Sequence, residues 1–179
     1  MRSYPKLMAA ALALAAAVGG GVVASSAAAE GTPGDRVAGS AVNGFPDPVN
    51  GPGSTRLTVE GARGGPAGEN PSGFVNDVGS FGSPMTAFEL EGPVTCLRVE
   101  GNKAAIKYRF EKATGVAEPF KGGGIEVFIE DNSPQPDANA SLAPQFAAEF
   151  NAAATQCDDP NLAPFSPVRE GGYTVADRD

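Results

Sequence analysis

The chain has 179 residues, a net charge of −8, and neither histidine nor tryptophan. Without histidine it cannot form a Ser-His-Asp or Cys-His catalytic arrangement, and it lacks the commonest zinc ligand. The acidic balance argues against nucleic acid and anionic lipid as partners, because these recognise basic surfaces, and it fits extracellular solubility and cationic partners.

The first 29 residues are typical of a secretory signal peptide. Arg2 and Lys6 give a basic start, residues 7–23 form an apolar run, and small residues follow up to Ala29. The alternative is a membrane anchor, but a run of about 17 residues is at the short limit for crossing a bilayer. We therefore expect cleavage after Ala29, export, and no membrane attachment of the mature chain.

The segment after the leader is predicted to be flexible over residues 30–54, with a weak strand at 35–42. The loop that follows this strand is rich in proline and glycine. The secreted β-domain is predicted over residues 55–179. It begins with a strand at 55–63, where apolar and polar residues alternate, and a short strand at 74–78.

The clearest predicted element is a β-hairpin over residues 94–110. Its turn is predicted at Gly101-Asn102, a two-residue signal between strand-like segments. The second strand alternates, and its inward face is expected to comprise Ala104, Ile106, Tyr108 and Phe110. Gly92-Pro93, just before the hairpin, is expected to break or kink the preceding strand.

Three further elements follow the hairpin. A strand is predicted at 125–130, after the glycine run 122–124, which we interpret as a flexible turn. Phe128 lies between polar residues on the second face of that strand, so this face should be partly covered. A short helix within 145–154 and a last strand at 173–176 complete the chain. The pattern predicts an all-β fold, a small antiparallel β-sandwich or barrel with at most one short helix.

The two cysteines, Cys96 and Cys157, are expected to form a disulfide in an exported chain. The bond would close a loop of about 60 residues and stabilise the fold by about 4 kcal/mol. Two buried free thiols are the alternative. The chain has no C-x-x-C motif that would indicate redox chemistry.

A weak calcium hypothesis concerns the acidic turn formed by Glu130, Asp131 and Asn132, with Asp137 nearby. Oxygen ligands on an extracellular loop suit low-affinity Ca²⁺ binding. However, the spacing does not match the D-x-[DN]-x-[DN]-G loop, and Asp and Asn commonly start turns by bonding their own backbone. A turn without metal is the main interpretation, and no other cofactor is expected.

Paired carboxylates are the remaining route to catalysis, since a glycosidase needs two acids across a cleft. The candidates are Glu89, Glu91, Glu126, Glu130 and Asp131. Their spacing is not specific, and the absence of tryptophan removes a common sugar-stacking platform. A carbohydrate-binding domain is a further alternative, and it would require the ring of Tyr108 or Tyr173 to be exposed.

A group of small secreted proteins of high-GC Gram-positive bacteria resembles this chain in three segments. These are VTCLRVEGNKAAI at 94–106, GGGIEVFIEDN at 122–132 and GGYTVADRD at 171–179. The resemblance covers about residue 55 to the C-terminus and implies an extracellular, bacterial β-domain. It implies no activity and carries over no functional residue. The stretch 138–154 departs from the pattern of the group.

The sequence therefore favours a secreted, non-catalytic β-domain that binds an extracellular or cell-wall partner, or has a structural role, at the cell surface. A sheet face or a loop end would be the interaction surface. The alternative is a carboxylate-based extracellular hydrolase, in a calcium-assisted form if the acidic turn holds Ca²⁺. No nucleic-acid partner is expected.

Overall fold

The computed structural model describes residues 34–45, 51–65, 68–82 and 86–178. These residues belong to one structural unit, Thr32–Asp179. The predicted signal peptide and its cleavage site after Ala29 lie outside the described residues. None of the helices in these ranges is both long enough and apolar enough to cross a membrane.

Within these ranges the chain forms ten β-strands and one short α-helix. The strands are β1 (Arg36–Phe45), β2 (Gly53–Arg63), β3 (Ser72–Phe81), β4 (Thr86–Glu100), β5 (Lys103–Arg109), β6 (Lys112–Gly115), β7 (Gly124–Glu130), β8 (Ala138–Ser141), β9 (Ser166–Pro167) and β10 (Glu170–Ala176), and the helix is α1 (Ala147–Ala152). The strands pair antiparallel in the order β10-β1-β2-β3-β4-β5-β7-β8-β9, and β6 pairs with β4. The sheet curls into a half-barrel, so the predicted all-β class is confirmed.

The predicted hairpin is confirmed as β4 and β5, with the turn at Gly101-Asn102. The kink expected at Gly92-Pro93 takes the form of a change of partner within one long strand. β4 pairs with β3 up to Pro93 and with β5 from Val94 onward. Proline has no amide hydrogen to donate, so this is a suitable place for the ladder to switch.

The N-terminal strand is longer than its sequence predicts, and it is paired with a neighbouring strand on each side. β1 lies between β10 and β2. It pairs with β2 along its length and with β10 over residues 36–42. The domain border predicted between residues 54 and 55 falls inside β2, and β1, which precedes this border, belongs to the same sheet. The sequence pattern of β1 predicts a strand only weakly, because small residues such as Gly39 and Ala41 have low strand propensity. In the structure, hydrogen bonding to a neighbouring strand on each side compensates for this low propensity.

One end of the half-barrel is filled by closely packed aliphatic side chains. Its buried residues include Val37, Val59, Val75, Leu97, Val99, Ala104, Ile106, Val127 and Ile129. Along each strand they are every second residue, the ones that face inward, as the period of two requires. Each fully buried Val, Leu or Ile contributes about 1.5–3 kcal/mol relative to exposure, so this end anchors the fold.

The outer face of β5 and β7 is covered by the C-terminal part of the chain. Lys107, which the alternation places outward, is buried and forms an ion pair with Glu126 at 3.4 Å. The Lys107 ammonium also donates to the Ala153 carbonyl at 3.3 Å, and the Asp158 amide donates to Glu126 at 2.7 Å. The predicted covering of Phe128 is confirmed, since this residue is buried.

The glycine run before β7 has a packing role that the sequence interpretation missed. The short helix predicted within 145–154 is present as α1, and its Phe150 packs against Gly124. A Cβ at Gly124 would collide with the Phe150 ring, and Gly122 has a positive φ of 83°. The run is therefore a fixed connection, because only glycine allows both the backbone conformation and the close approach.

Candidate functional site

The other end of the half-barrel contains a cavity of about 410 Å³. It is lined by Asn43, Gly44, Phe45, Thr55, Asp77, Phe81, Phe88, Leu90, Ile125, Asn139, Ala140, Ser141, Leu142, Pro144, Pro164 and Ser166. The register brings these residues together, since Phe45 lies opposite Gly53, and Gly53 lies opposite Phe81. In antiparallel strands the end of one strand meets the start of the next, so residues far apart in sequence share this end.

Aromatic rings form one wall of the cavity. The rings of Phe45 and Phe81 lie edge to face with centroids 6.4 Å apart, and those of Phe81 and Phe88 are tilted at 6.1 Å. These contacts between neighbouring rings hold the aromatic wall together. The aliphatic side chains of Leu90 and Ile125 continue the apolar surface.

Asp77 is the one ionisable side chain among the described residues that line the cavity. It lies on β3 between Leu57 of β2 and Leu90 of β4, both buried, and only 9% of Asp77 is exposed. The Thr55 hydroxyl donates a hydrogen bond to its carboxylate. Burial raises the pKa of Asp77 from 3.8 to about 7, because apolar neighbours disfavour the charged form.

Further polar side chains near Asp77 are buried inside the half-barrel. The Tyr173 hydroxyl donates to the Leu57 carbonyl at 3.2 Å and accepts from the Asn139 amide at 3.2 Å. The Tyr108 hydroxyl and the Asn43 side-chain oxygen are buried without a protein hydrogen-bond partner. Burial raises the pKa of both tyrosines, and the charge on Asp77 adds to the effect, so both phenols stay neutral at ordinary pH. Buried polar groups without partners are unusual in a protein interior. Of the two groups without partners, Asn43 lines the cavity, where a ligand or water would reach its side-chain oxygen.

The residues of the calcium hypothesis are only partly brought together. Asp131, Asn132 and Asp137 share one loop, whereas Glu130 forms an ion pair with Lys103 at 3.7 Å. In the part of the chain that the structure describes, no group of three or more acidic or cysteine side chains could hold a metal ion. Calcium binding therefore remains an untested prediction.

The two aspartates of this loop bond the backbone across the seam between β7–β8 and β10. Asp137 accepts from the amides of Asn132 at 2.9 Å and Tyr173 at 2.6 Å. Asp131 accepts from Val175 at 3.2 Å. Partial burial raises the pKa of Asp131, but its backbone hydrogen bonds outweigh this and hold the pKa below its usual value. The carboxylates thus satisfy the free amides of the β10 edge, as edge strands require.

Replacing Asp137 with alanine is expected to lower the free energy of unfolding by about 3 kcal/mol, because two charge-assisted hydrogen bonds are lost and the buried Tyr173 amide is left without a partner. Urea unfolding would measure the loss. The matched control is Asp177→Ala, which removes an exposed bond to the Gly101 amide at 2.7 Å and should cost under about 1 kcal/mol. Equal losses at the two sites would show that the seam does not depend on Asp137.

Each glutamate considered for catalysis forms an ion pair with a lysine. Glu89 and Glu91 lie 2.9 and 3.7 Å from Lys112, and Glu126 pairs with Lys107. The hydrogen bond from Lys112 lowers the pKa of Glu89, whereas burial raises that of Glu126. None of these glutamates lines the cavity.

The tyrosines considered as sugar platforms are both interior. Tyr108 is 0% exposed and Tyr173 is 4% exposed, so neither ring can offer a face to a sugar on the protein surface. The carbohydrate-binding alternative is therefore wrong for these two residues. The inward direction that alternation predicts for Tyr108 is correct.

Asp77 is the functional candidate that sequence reasoning missed. The sequence contains a pattern that could have indicated its burial. Asp77 falls two residues after the inward-facing Val75 and so occupies an inward position of β3. The pattern was ambiguous because Phe74 and Val78 place apolar residues on the other face as well. Only the structure shows Val78 exposed and Asp77 buried.

Comparison with known proteins gives no match to this chain among family models, curated proteins or solved structures. The chemistry of the cavity is therefore the basis for a functional conclusion. The cavity combines apolar and aromatic walls with one buried carboxyl group and a few polar atoms. This is the usual composition of a small-molecule binding site.

Proposed function

We propose that this protein is an extracellular, non-catalytic binding protein that holds a small, largely apolar molecule in the cavity at the end of the half-barrel. The observation that carries the proposal is the position of Asp77, a buried carboxyl group between Leu57 and Leu90 that faces an aromatic-walled cavity. A buried acid costs stability, and such a cost is commonly retained where the group has a function.

The size and the surroundings of the cavity support this proposal. Its volume of about 410 Å³ lies in the range of small-ligand sites, roughly 300–1,000 Å³. The aromatic wall stands on the paired strands β1, β3 and β4, so it is held in place before a ligand arrives. A preformed apolar site binds without a large ordering cost, and the polar atoms fix the orientation of the ligand.

The extracellular part of the proposal draws on the signal-like leader, the resemblance to secreted bacterial proteins, and the disulfide. Cys96 and Cys157 are bonded to each other. Structural disulfides persist in oxidising compartments, so this bond supports export. The chain would then meet its ligand outside the cell or at the cell wall.

A fluorescent apolar probe such as 1-aminoanthracene tests the binding function, because the chain has no tryptophan to interfere. We expect saturable binding to the wild type and about tenfold weaker binding to Phe81→Ser, which removes part of the aromatic wall. Val78→Ser is the matched control, since Val78 lies on the outer face of the same strand and is 46% exposed. Absence of saturable binding by the wild type, or equal affinity of Phe81→Ser, would contradict the proposal.

A further inference from the structure

The cavity also indicates which chemical class of ligand it accepts. We infer that the ligand is an apolar organic cation, a protonated amine whose ammonium group pairs with Asp77 while its hydrocarbon body lies against Phe45, Phe81 and Phe88. This inference rests on the proposed binding function and specifies the ligand of the same site.

Among the described residues that line the cavity, the one charged side chain is acidic. This side chain is Asp77, and no lysine or arginine is among the described lining residues. The guanidinium of Arg169 lies near Gly44, but on the side opposite to Asn43 and Phe45, because successive residues of a strand face opposite ways. The whole chain carries a net charge of −8, which attracts cations and repels anionic ligands.

The cavity presents two acceptor groups that a ligand could use, the carboxyl group of Asp77 and the side-chain oxygen of Asn43. Thr55 donates to Asp77, an arrangement that favours the ionised carboxylate, and the Asn43 side-chain oxygen has no protein partner. Both Asp77 and Asn43 line the cavity. An ammonium group offers three donors and no acceptor, so it complements this pair of acceptor oxygens.

The aromatic wall suits a cation as well as a hydrocarbon. The faces of aromatic rings carry a partial negative charge and attract ammonium groups, an effect that strengthens when the site excludes water. Phe45, Phe81 and Phe88 form a connected cluster beside the cavity. A neutral or anionic ligand would gain hydrophobic contact from these rings but would lose this attraction.

The inference predicts a definite dependence of binding on pH. The titratable groups that face Asp77 are Tyr108 on β5 and Tyr173 on β10, and both stay neutral at ordinary pH. Asp77, with a pKa of about 7, must lose its proton to pair with an ammonium group. The affinity for an amine should therefore rise about 100-fold from pH 5 to pH 8 and change little above that range. A ligand that accepts a hydrogen bond from protonated Asp77 would show the opposite trend.

Calorimetry with three ligands of similar shape tests this inference: cyclohexylmethylamine, cyclohexylmethanol and cyclohexanecarboxylate, each from pH 5 to pH 8. We expect the amine to bind at least about tenfold tighter than the alcohol at pH 8, and the carboxylate to bind most weakly. The preference for the amine should disappear at pH 5 and in Asp77→Asn. It should persist in the surface control Asp177→Asn.

Two results would overturn the inference and are distinguishable from each other. If the alcohol binds as tightly as the amine at pH 8, or if affinity falls as the pH rises, the ligand is not a cation but the binding function stands. If none of the three ligands binds and the fluorescent probe also fails to bind, the proposed function itself is wrong. Circular dichroism of Asp77→Asn confirms that the variant is folded.

Discussion

The free energy of unfolding of the wild type is expected to fall by about 4 kcal/mol between pH 4 and pH 8 through Asp77 alone. Burial raises the pKa of this carboxyl group from 3.8 to about 7 in the folded protein. The variant Asp77→Asn has an uncharged side chain of nearly the same shape and should lack this contribution. At pH 8 we therefore expect the variant to be more stable than the wild type.

The stability falls with rising pH because the folded and the unfolded protein bind different numbers of protons at Asp77. Near pH 3 and below, Asp77 is protonated in both the folded and the unfolded chain, so it adds no penalty. Between pH 4 and pH 7 the unfolded chain releases the proton while the folded protein retains it, which favours unfolding increasingly as the pH rises. Above pH 7 both states are ionised and the penalty is constant.

Chemical denaturation of both proteins at a series of pH values measures this effect as the difference between two curves. Other titrating groups, such as Glu126 and Asp131, contribute equally to both proteins and cancel. Asp177→Asn is the control and should run parallel to the wild type. A constant difference between the wild type and Asp77→Asn at all pH values would show that Asp77 ionises in the folded protein as it does in water.

Removal of the disulfide is expected to lower the free energy of unfolding by about 4 kcal/mol, because the bond closes a loop across a sequence separation of 61 and so restricts the unfolded chain. The variant for this test is Cys96→Ala combined with Cys157→Ala. Denaturation of the variant, and of wild type treated with a reductant, should give similar losses.

The bond also holds the segment that covers the outer face of β5 and β7. We expect faster hydrogen exchange at the Asp158 amide, which donates to Glu126 at 2.7 Å, when the disulfide is absent. The comparison variant is Thr95→Val, which removes a 2.7 Å hydrogen bond from the same strand to the Ala154 carbonyl and should cost only about 1 kcal/mol. If the double cysteine variant lost no more than Thr95→Val, the covering segment would be held by its other contacts.

The two predictions concern features that have opposite effects on the stability of the same fold. The packed end and the disulfide stabilise the half-barrel, whereas Asp77 and the partnerless Tyr108 hydroxyl reduce its stability. Groups that cost stability are more informative about function than groups that supply it. This contrast is why the proposed binding site is placed at the cavity and not at the better-packed end.

The sequence alone determined the features that depend on local pattern. Alternation and the Gly101-Asn102 turn specified the hairpin, and the spacing of short apolar runs specified the all-β class. The pairing of Cys96 with Cys157 followed from their number and from the export that the leader predicts.

The tertiary structure decided which distant residues meet. Period-two alternation places Asp77 and Tyr108 on inward faces, but it does not say which inward residues share one end of the barrel, because this depends on register and on the curl of the sheet. The same reason explains why Asp137 bonds the β10 backbone at Tyr173 rather than forming only a local turn. Neighbouring strands can be inferred from short links, whereas the cavity and the seam arise only when strands far apart along the chain come together.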